Sequence, residues 1–181
     1  MKETDEELMI SARNGHLDAI GVLFEKYHIR MFNFFLKMTH CRDLSSDLTQ
    51  TVFYRIMKYR ETYNGPNTFR TWMYRIARNA LTDHYRARKR KMENENDELK
   101  EELYLISDET EKEKMDKYAA LSAAMEKLPG KQKEILLLSR YEGLKYHEIS
   151  AITGDSVPNV KVTAHRAIKT LKKLYFEMSC R

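Results

Sequence analysis

A strongly basic segment with interleaved aromatic side chains occupies residues 69–91. It contains eight lysines or arginines, four aromatic residues and a single acid. Basic side chains can follow a nucleic-acid backbone, while an aromatic face stacks on an unpaired base with a free energy of about 1–3 kcal/mol. Phe69 and Trp72 lie on the apolar stripe of this segment, so we expect both rings to pack in a core. Tyr74 and Tyr85 lie off that stripe and are predicted to contact the nucleic acid.

The polar face of the same segment adds an amide to the basic side chains. Asn79 lies one helical turn from Arg75 and directly follows Arg78. An asparagine amide can pair with the edge of a base. This surface is therefore predicted to hold a single DNA strand and to help open a duplex.

A second basic surface is predicted near the C-terminus, on a helix from Val157 to about Phe176. A shorter helix to Ile152 and a turn at residues 153–155 precede it, and Ser156 is a suitable cap. This is the pattern of a helix-turn-helix, whose second helix enters the major groove of duplex DNA. By pattern alone, a basic solvated helix is the alternative. The residues expected to face outward or flank the packed stripe are polar or basic: Asn159, Lys161, Thr163, His165, Arg166 and Lys169.

Residues 47–56 have a different surface, in which polar side chains surround a strongly apolar set. The polar side chains include Asp47, Gln50 and Thr51, and the apolar set includes Phe53. An apolar patch with a polar rim suits a protein–protein interface. An ordinary amphipathic helix packed on its neighbour explains the same pattern equally well.

The elements that must position these residues are all predicted to be helices. Thr4 and Glu7 form a capping-box pattern, and apolar residues recur at three and four positions through both halves of the chain. Six glycines and three prolines are too few for the turns of a sandwich or barrel. The fold class predicted is therefore all-α, with two small helical domains. After a short first helix, the predicted spans are 17–39, a third helix from about Ser45, 67–90 with Asn67 as its cap, 121–128, 132–140, a shorter helix to Ile152 and 157–176.

The charge of the chain divides it into three parts. Residues 1–90 carry a net charge of +6, residues 91–117 carry −6 and residues 118–181 carry +5. We therefore expect a domain at 1–91, a flexible acidic linker at 92–117 and a domain at 118–181. Two basic blocks around an acidic tether favour two nucleic-acid-binding modules. Two ordinary solvated domains with a linker explain the charges about as well.

Several function classes find no support in the sequence. Cys41 and Cys180 belong to no metal-ligand or disulfide spacing, so neither zinc nor an oxidising compartment is indicated. No HExxH motif, Walker loop or nucleophile elbow occurs, so neither an enzyme nor a cofactor is expected. No apolar run approaches the roughly 18 residues of a membrane span, and the N-terminus lacks a signal-peptide core. A cytoplasmic location without membrane insertion is predicted.

Three segments together resemble the extracytoplasmic-function (ECF) sigma factors of the sigma-70 family. DLTQTVFYRI, at residues 47–56, resembles the part of sigma domain 2 that binds the clamp coiled coil of RNA polymerase. TFRTWMYRIARNALTDHYRARKR, at residues 68–90, resembles the segment that melts and reads the −10 promoter element. Residues 128–174, from LPGKQ to LKKL, resemble sigma domain 4, which reads the −35 element. The length leaves room for these two domains alone, as in the ECF class, which lacks domain 3.

The resemblance implies roles for individual residues. Asp47, Gln50 and Phe53 match positions that meet the polymerase clamp, while Asn67 and Thr68 match positions that capture a flipped-out −10 base. The residues expected at the single-stranded −10 element are Asn67, Thr68, Trp72, Arg75, Arg78, Asn79, Asp83 and Arg86. The residues expected at the duplex −35 element are Ser156, Asn159, Lys161, Thr163, His165, Arg166 and Lys169.

The resemblance also implies a mechanism and partners. Such a factor directs core RNA polymerase to promoters, and binding free energy opens the DNA, so no cofactor or ATP site is needed. A membrane-linked anti-sigma factor wedged between the two domains is a further expected partner, which would hold the protein at the inner membrane face. The chain departs from the family pattern at Pro158, where glycine is usual, and at Val162-Thr163, where a Ser-Arg pair is frequent. The resemblance therefore predicts the fold of this domain but not its −35 sequence.

Three other classes of protein compete with this interpretation. A helix-turn-helix regulator that binds duplex DNA as a dimer would explain residues 118–181, but it would leave the basic aromatic segment at 69–91 without a role. A helical adaptor that binds only protein would not need two basic blocks around an acidic linker. An enzyme such as a nuclease is disfavoured because no paired-carboxylate metal spacing occurs.

Overall fold

A computed structural model describes residues 3–64, 67–95 and 112–179 of the chain. It divides into two compact units, Met1–Tyr104 and Leu105–Arg181. Helices account for nearly all of the described residues and no strand occurs among them, so the all-α prediction is confirmed. The predicted linker at 92–117 is described only at its two ends, where residues 92–95 continue one helix and residues 112–117 begin the next. Its remaining residues, 96–111, lie outside the described part of the chain.

In the described part of the first unit, four helices are joined by short connections. They are α1 (Asp5–Arg13), α2 (Asp18–Thr39), α3 (Arg42–Lys58) and α4 (Phe69–Glu95), with a single 3-10 turn at Arg60–Thr62. The predicted capping box at the start of α1 is confirmed. The Thr4 backbone amide donates to Glu7 Oε2 at 2.7 Å, and the Glu7 amide donates to Thr4 Oγ1 at 3.2 Å. These bonds satisfy two amides that the helix itself cannot pair.

In the first unit, the starts of α3 and α4 differ from the sequence-based spans. His40 ends α2 in the left-handed conformation, with φ of 55°, and Cys41 is extended, so α3 begins at Arg42 rather than near Ser45. A single left-handed residue reverses the chain without a longer loop. At α4 the cap is Thr68 instead of Asn67, because Thr68 Oγ1 accepts from the Thr71 amide at 3.3 Å.

The core of the first unit lies where α2, α3 and α4 meet. α2 packs along α3, α3 packs along α4, and α1 closes the arrangement against α2 and α4. Burying a large apolar side chain in such a core contributes about 1.5–3 kcal/mol, so this set largely holds the unit together. Its innermost members are Met9, Leu23, Met31, Phe35, Val52, Ile56, Phe69, Met73 and Ala77.

Residues 112–179, the described part of the second unit, contain four more helices. They are α5 (Lys112–Glu126), α6 (Gly130–Leu136), α7 (Tyr146–Thr153) and α8 (Val157–Ser179), and α8 packs against the other three. α5 begins nine residues before the predicted span at 121–128. The predicted helix at 132–140 corresponds to α6 followed by one turn of π-helix at Leu137–Tyr141. In that turn, the Glu142 amide donates to the Leu137 carbonyl at 3.0 Å. Within the described ranges, no helix is long and apolar enough to cross a membrane.

Candidate nucleic-acid interface

The outward face of α4 carries basic and amide side chains in sequence-adjacent turns. Arg75, Asn79 and Arg86 are exposed, and Arg78 is half-buried beside them. Positions 75 and 79 are one turn apart on the same face of a helix. This arrangement matches the predicted polar face, and it places guanidinium groups around an amide that can pair with a base edge.

The four aromatic residues of α4 have different environments. Phe69 is buried as predicted, whereas Trp72 is half-exposed and makes a T-shaped contact with Tyr63, with ring centroids 5.4 Å apart. Tyr85 is 44% exposed, in line with its predicted outward position. The prediction for Tyr74 was wrong, because this side chain is only 1% exposed and packs edge-on against Phe34 of α2 at 5.4 Å. The buried face of α4 is wider than its apolar stripe, since α2 covers it as well.

Asp83 makes an ion pair between α3 and α4. Its carboxylate lies 2.9 Å from the Arg55 guanidinium, on a partly exposed surface. Such a pair contributes about 0–1 kcal/mol to stability, because water and salt screen it. Asp83 therefore ties the two helices together at the edge of the basic face.

The loop that leads into α4 is held at both ends by α1. The Arg13 guanidinium donates to the Tyr63 carbonyl at 3.1 Å, and Glu6 Oε1 accepts from the Phe69 amide at 2.9 Å. Between these two bonds, the hydroxyl of buried Tyr63 donates to the Asn67 carbonyl at 3.3 Å. The two predicted base-capture residues, Asn67 and Thr68, are exposed at this point. Gly65 and Pro66 lie outside the described residues.

The roles of Asp5 and Glu6 were not predicted from the sequence. Asp5 accepts from Lys26 Nζ at 2.5 Å and from the hydroxyl of Tyr27, which fastens α1 to α2. Glu6 reaches α4, while Glu7 caps α1 itself. Three successive acids in a first turn are already favoured by the helix dipole. Because this preference explains all three acids alike, their different hydrogen-bond partners could not be predicted from the sequence.

We expect the free energy of unfolding of the first unit to fall as the pH rises above about 10. Burial, followed by the nearby carboxylates of Glu6 and Asp5, raises the pKa of Tyr63, and burial and the bond to Asp5 raise the pKa of Tyr27. A raised phenol pKa stabilises the native state below the unfolded-state pKa, and this contribution is lost as the pH rises through the folded-state pKa. Urea denaturation followed by Trp72 fluorescence would measure the loss. Tyr63→Phe and Tyr27→Phe, which cannot ionise, should each reduce the pH dependence, and unchanged dependence in both would contradict this explanation.

The outward face of α3 carries the residues predicted to meet core polymerase. Asp47 and Gln50 are exposed, but Phe53 is only 7% exposed and packs edge-on against Phe24 at 4.9 Å. Phe53 is therefore mostly buried and packs beneath this surface instead of projecting from it. A shallow apolar groove of about 500 Å³ lies beside it, lined by Ile20, Gly21, Phe24, Glu25, Phe53, Tyr54 and Met57.

The second unit contains the predicted helix-turn-helix. α7 ends at Gly154, whose φ of 78° lets its amide donate back to the Ser150 carbonyl at 2.9 Å. Ser156 then caps α8, with its hydroxyl 3.5 Å from the Asn159 amide. Asp155 steadies the turn between them through an ion pair with Lys131 at 2.7 Å. These bonds hold the turn between α7 and α8.

α8 presents its polar residues outward, as its pattern predicted. Val160, Ala164 and Ala167 are buried against the other helices of the unit. On the remaining surface, the exposed side chains are Ser156, Asn159, Lys161, His165, Arg166 and Lys169, and Thr163 is half-buried at its edge. A helix exposed along such a face fits the major groove of duplex DNA.

The described residues contain no group of three or more histidine, cysteine or carboxylate side chains placed to hold a metal ion. The arrangement instead offers two basic faces, one on α4 and one on α8. Their chemistry is that of binding polyanions, through phosphate contacts and base-edge contacts.

Comparisons with known proteins point to one family. The Sigma-70 region 2 model matches residues 23–91, and the Sigma-70, region 4 model matches residues 118–171. The RNA polymerase sigma factor YlaC of Bacillus subtilis is 29% identical over 163 residues, covering 87% of this chain and 92% of YlaC. The sigma factor SigV of the same organism is 32% identical over 137 residues, covering 72% of this chain and 75% of SigV.

A solved structure has the same fold. The sigma factor RpoE in complex with the anti-sigma factor NepR, from Bartonella quintana, matches with a TM-score of 0.74 at 19% identity. The match covers 85% of this chain and 94% of that chain. At this identity, the likeness concerns the fold.

Two helical units, each with a basic face, and a helix-turn-helix in the second define a DNA-binding protein. The chain belongs to the ECF sigma factors of the sigma-70 family. It is a transcription initiation factor that works with core RNA polymerase and promoter DNA, and sigma factors are not enzymes. The family and the class of function predicted from the sequence are confirmed.

Proposed function

We propose that the domain at residues 1–91 binds core polymerase and reads the −10 element, and that the domain at residues 118–181 reads the −35 element. The observation that carries this assignment is the separation of two exposed basic faces, on α4 and α8, in two different compact units. Each face suits a different form of DNA. Aromatic and amide groups next to arginines suit an unpaired strand, whereas a bare basic helix suits the major groove.

At the −10 element, the loop before α4 receives a base of the non-template strand. Asn67 and Thr68 are exposed there, next to the half-exposed Trp72. Extruding a base costs a few kcal/mol of unstacking, which hydrogen bonds and stacking in a pocket offset. Three arginines of α4, Arg75, Arg78 and Arg86, bind the phosphates of the strand. Asn79 pairs with the edge of a base. Asp83 contributes by orienting Arg55 and the two helices rather than by contacting an anionic strand.

At the −35 element, the first half of α8 enters the major groove. Asn159, Lys161 and His165 lie in its first three turns, where side chains of a recognition helix reach base edges. Thr163 and Arg166 flank them, and Ser156 holds the start of the helix. Lys169 lies further along and contacts phosphate, which adds affinity without sequence preference.

On α3, Asp47 and Gln50 contact the core polymerase, and Phe53 supports them. Both polar side chains are exposed, and the apolar groove beside Phe53 continues the same surface. An apolar patch with a polar rim is typical of protein interfaces.

An anti-sigma factor controls this protein in the cytoplasm and holds it at the inner membrane face. Support comes from the fold shared with RpoE, whose structure was solved in complex with the anti-sigma factor NepR. The acidic segment between the two domains allows one partner to reach both of them. Affinity purification from the native cell should recover such a partner, and recovery of core polymerase alone would remove this part of the proposal.

Run-off transcription tests the assignment. Core polymerase is supplied with genomic promoter fragments, with and without the protein, and the start sites are mapped to obtain the −10 and −35 sequences. Transcripts that require the protein are expected from a defined subset of fragments. The same templates with a pre-opened bubble at −10 then separate strand opening from duplex reading. Asn79→Ala should be rescued on the bubble more than Lys161→Ala, and the reverse order would overturn the assignment of the two faces.

A further inference from the structure

The three first-turn acids of α1 form hydrogen bonds with three different parts of the first unit. Glu7 closes the cap of α1, Asp5 fastens α1 to Lys26 and Tyr27 of α2, and Glu6 reaches the start of α4. The segment matched by the region 2 model begins only at residue 23, after α1. α1 is therefore anchored by hydrogen bonds to two other helices, α2 and α4.

Two hydrogen bonds from α1 end on backbone atoms on either side of Asn67 and Thr68, the predicted base-capture residues. Arg13 donates to the carbonyl of Tyr63, and Glu6 accepts from the amide of Phe69. Of the two residues so fixed, Phe69 directly follows the exposed pair Asn67 and Thr68, and Tyr63 lies four positions before Asn67. Neither bond uses the side chain of Asn67 or Thr68, so both leave these two exposed side chains available to a base.

Tyr63 completes this bracket from inside. Its ring is buried against Phe69 and Trp72, with centroids 6.5 and 5.4 Å away, and its hydroxyl donates to the Asn67 carbonyl. Fixing a loop in its bound conformation before the ligand arrives removes an entropic cost of binding. A loop that must receive one base in one orientation benefits most from this.

We propose that α1 positions the −10 capture loop, and that Glu6 is the positioning residue that holds the loop at the start of α4. Glu6 acts through the Phe69 amide and does not itself contact DNA. This inference rests on the proposed capture of a −10 base by Asn67 and Thr68. It makes α1 a determinant of promoter reading.

The experiment uses holoenzyme assembled from core polymerase and the full chain. Its probes are a fluorescent single-stranded oligonucleotide carrying the mapped −10 sequence, and the same oligonucleotide with an abasic site at the captured position. Fluorescence anisotropy gives both affinities. Glu6→Ala should weaken binding of the intact strand about three- to tenfold, the size expected for a lost helix-end contact. It should leave binding of the abasic strand nearly unchanged.

Two further variants separate positioning from a general loss of structure. Glu6→Gln keeps an oxygen that can accept from the Phe69 amide, so it should recover most of the affinity. Glu3→Ala removes a negative charge from an exposed residue just before α1 and should have no effect. Arg13→Ala, at the other end of the loop, should reproduce the base-dependent loss.

The outcomes distinguish this inference from the proposed function. If wild type binds the intact strand better than the abasic strand but Glu6→Ala weakens both equally, or neither, the positioning role is overturned and base capture stands. If wild type itself does not distinguish the two strands, base capture by this loop falls and the positioning role falls with it. A loss confined to the intact strand and recovered in Glu6→Gln supports the inference.

Discussion

Phe69→Ala should lower the free energy of unfolding of the first unit by about 3–5 kcal/mol, the usual cost of removing a fully buried phenyl ring. The ring of Phe69 is 0% exposed and lies between those of Tyr27 and Trp72, with centroids 5.7 and 6.4 Å away. These neighbours come from α2 and α4, so the cavity cannot close by moving one side chain. Urea denaturation of the full chain measures the loss. Trp72 is the single tryptophan of the protein, so its fluorescence follows the first unit selectively.

Ile29→Ala is the matched control for this substitution. Ile29 is a large apolar side chain of the same unit but is 63% exposed on α2. Removing it should change the free energy of unfolding by no more than about 0.5 kcal/mol, as for most surface changes. A loss below about 1 kcal/mol for Phe69→Ala would mean that the loop and α4 rearrange to fill the space.

Phe69→Ala should also impair base capture, because the backbone amide of Phe69 donates the hydrogen bond to Glu6. The ring anchors that amide from the core side while the carboxylate holds it from the α1 side. A variant that still folds should therefore read the −10 base poorly even where it is stable. Phe69 therefore links the core of the first unit to the position of the capture residues Asn67 and Thr68.

The sequence predicted those features that depend on local spacing. Apolar residues at three and four positions predicted α2 and α8, and the Thr4–Glu7 spacing predicted a cap that the structure contains. The helix-turn-helix was equally accessible, since Gly154 and Ser156 mark its turn within a few residues. In each case, the residues that determine the conformation are close in sequence.

The features that were missed depend on residues far apart in sequence. Glu6 and Phe69 are 63 positions apart, and Arg13 and Tyr63 are 50 apart. No periodicity can indicate such a pair. Tyr74 was placed outward because its own helix shows a narrow stripe, but Phe34 of α2 covers it. Likewise, the pairing of Asp83 with Arg55 depends on how α3 lies against α4.

Replacing Lys161 and Lys169 of α8 by alanine should have different effects on −35 DNA, although the chemical change is the same. Both side chains are exposed, and they lie eight positions apart, which corresponds to about 12 Å along a helix. Lys161→Ala should lower the affinity for the mapped −35 duplex by about 1–3 kcal/mol and relax the preference for one base pair. Lys169→Ala should weaken binding to all sequences alike and reduce the slope of log K against log salt by about 1.

Holoenzyme binding to the duplex and to single-base-pair variants, over a series of salt concentrations, separates the two effects. Lys127→Ala is the control, since Lys127 is an exposed lysine of the same unit that lies off α8. It should change neither the preference nor the slope by more than the measurement error. If Lys161→Ala and Lys169→Ala gave the same salt slope and the same base preference, α8 would lie across the backbone rather than along the groove. The −35 sequence would then have to be read by a different surface of the second unit.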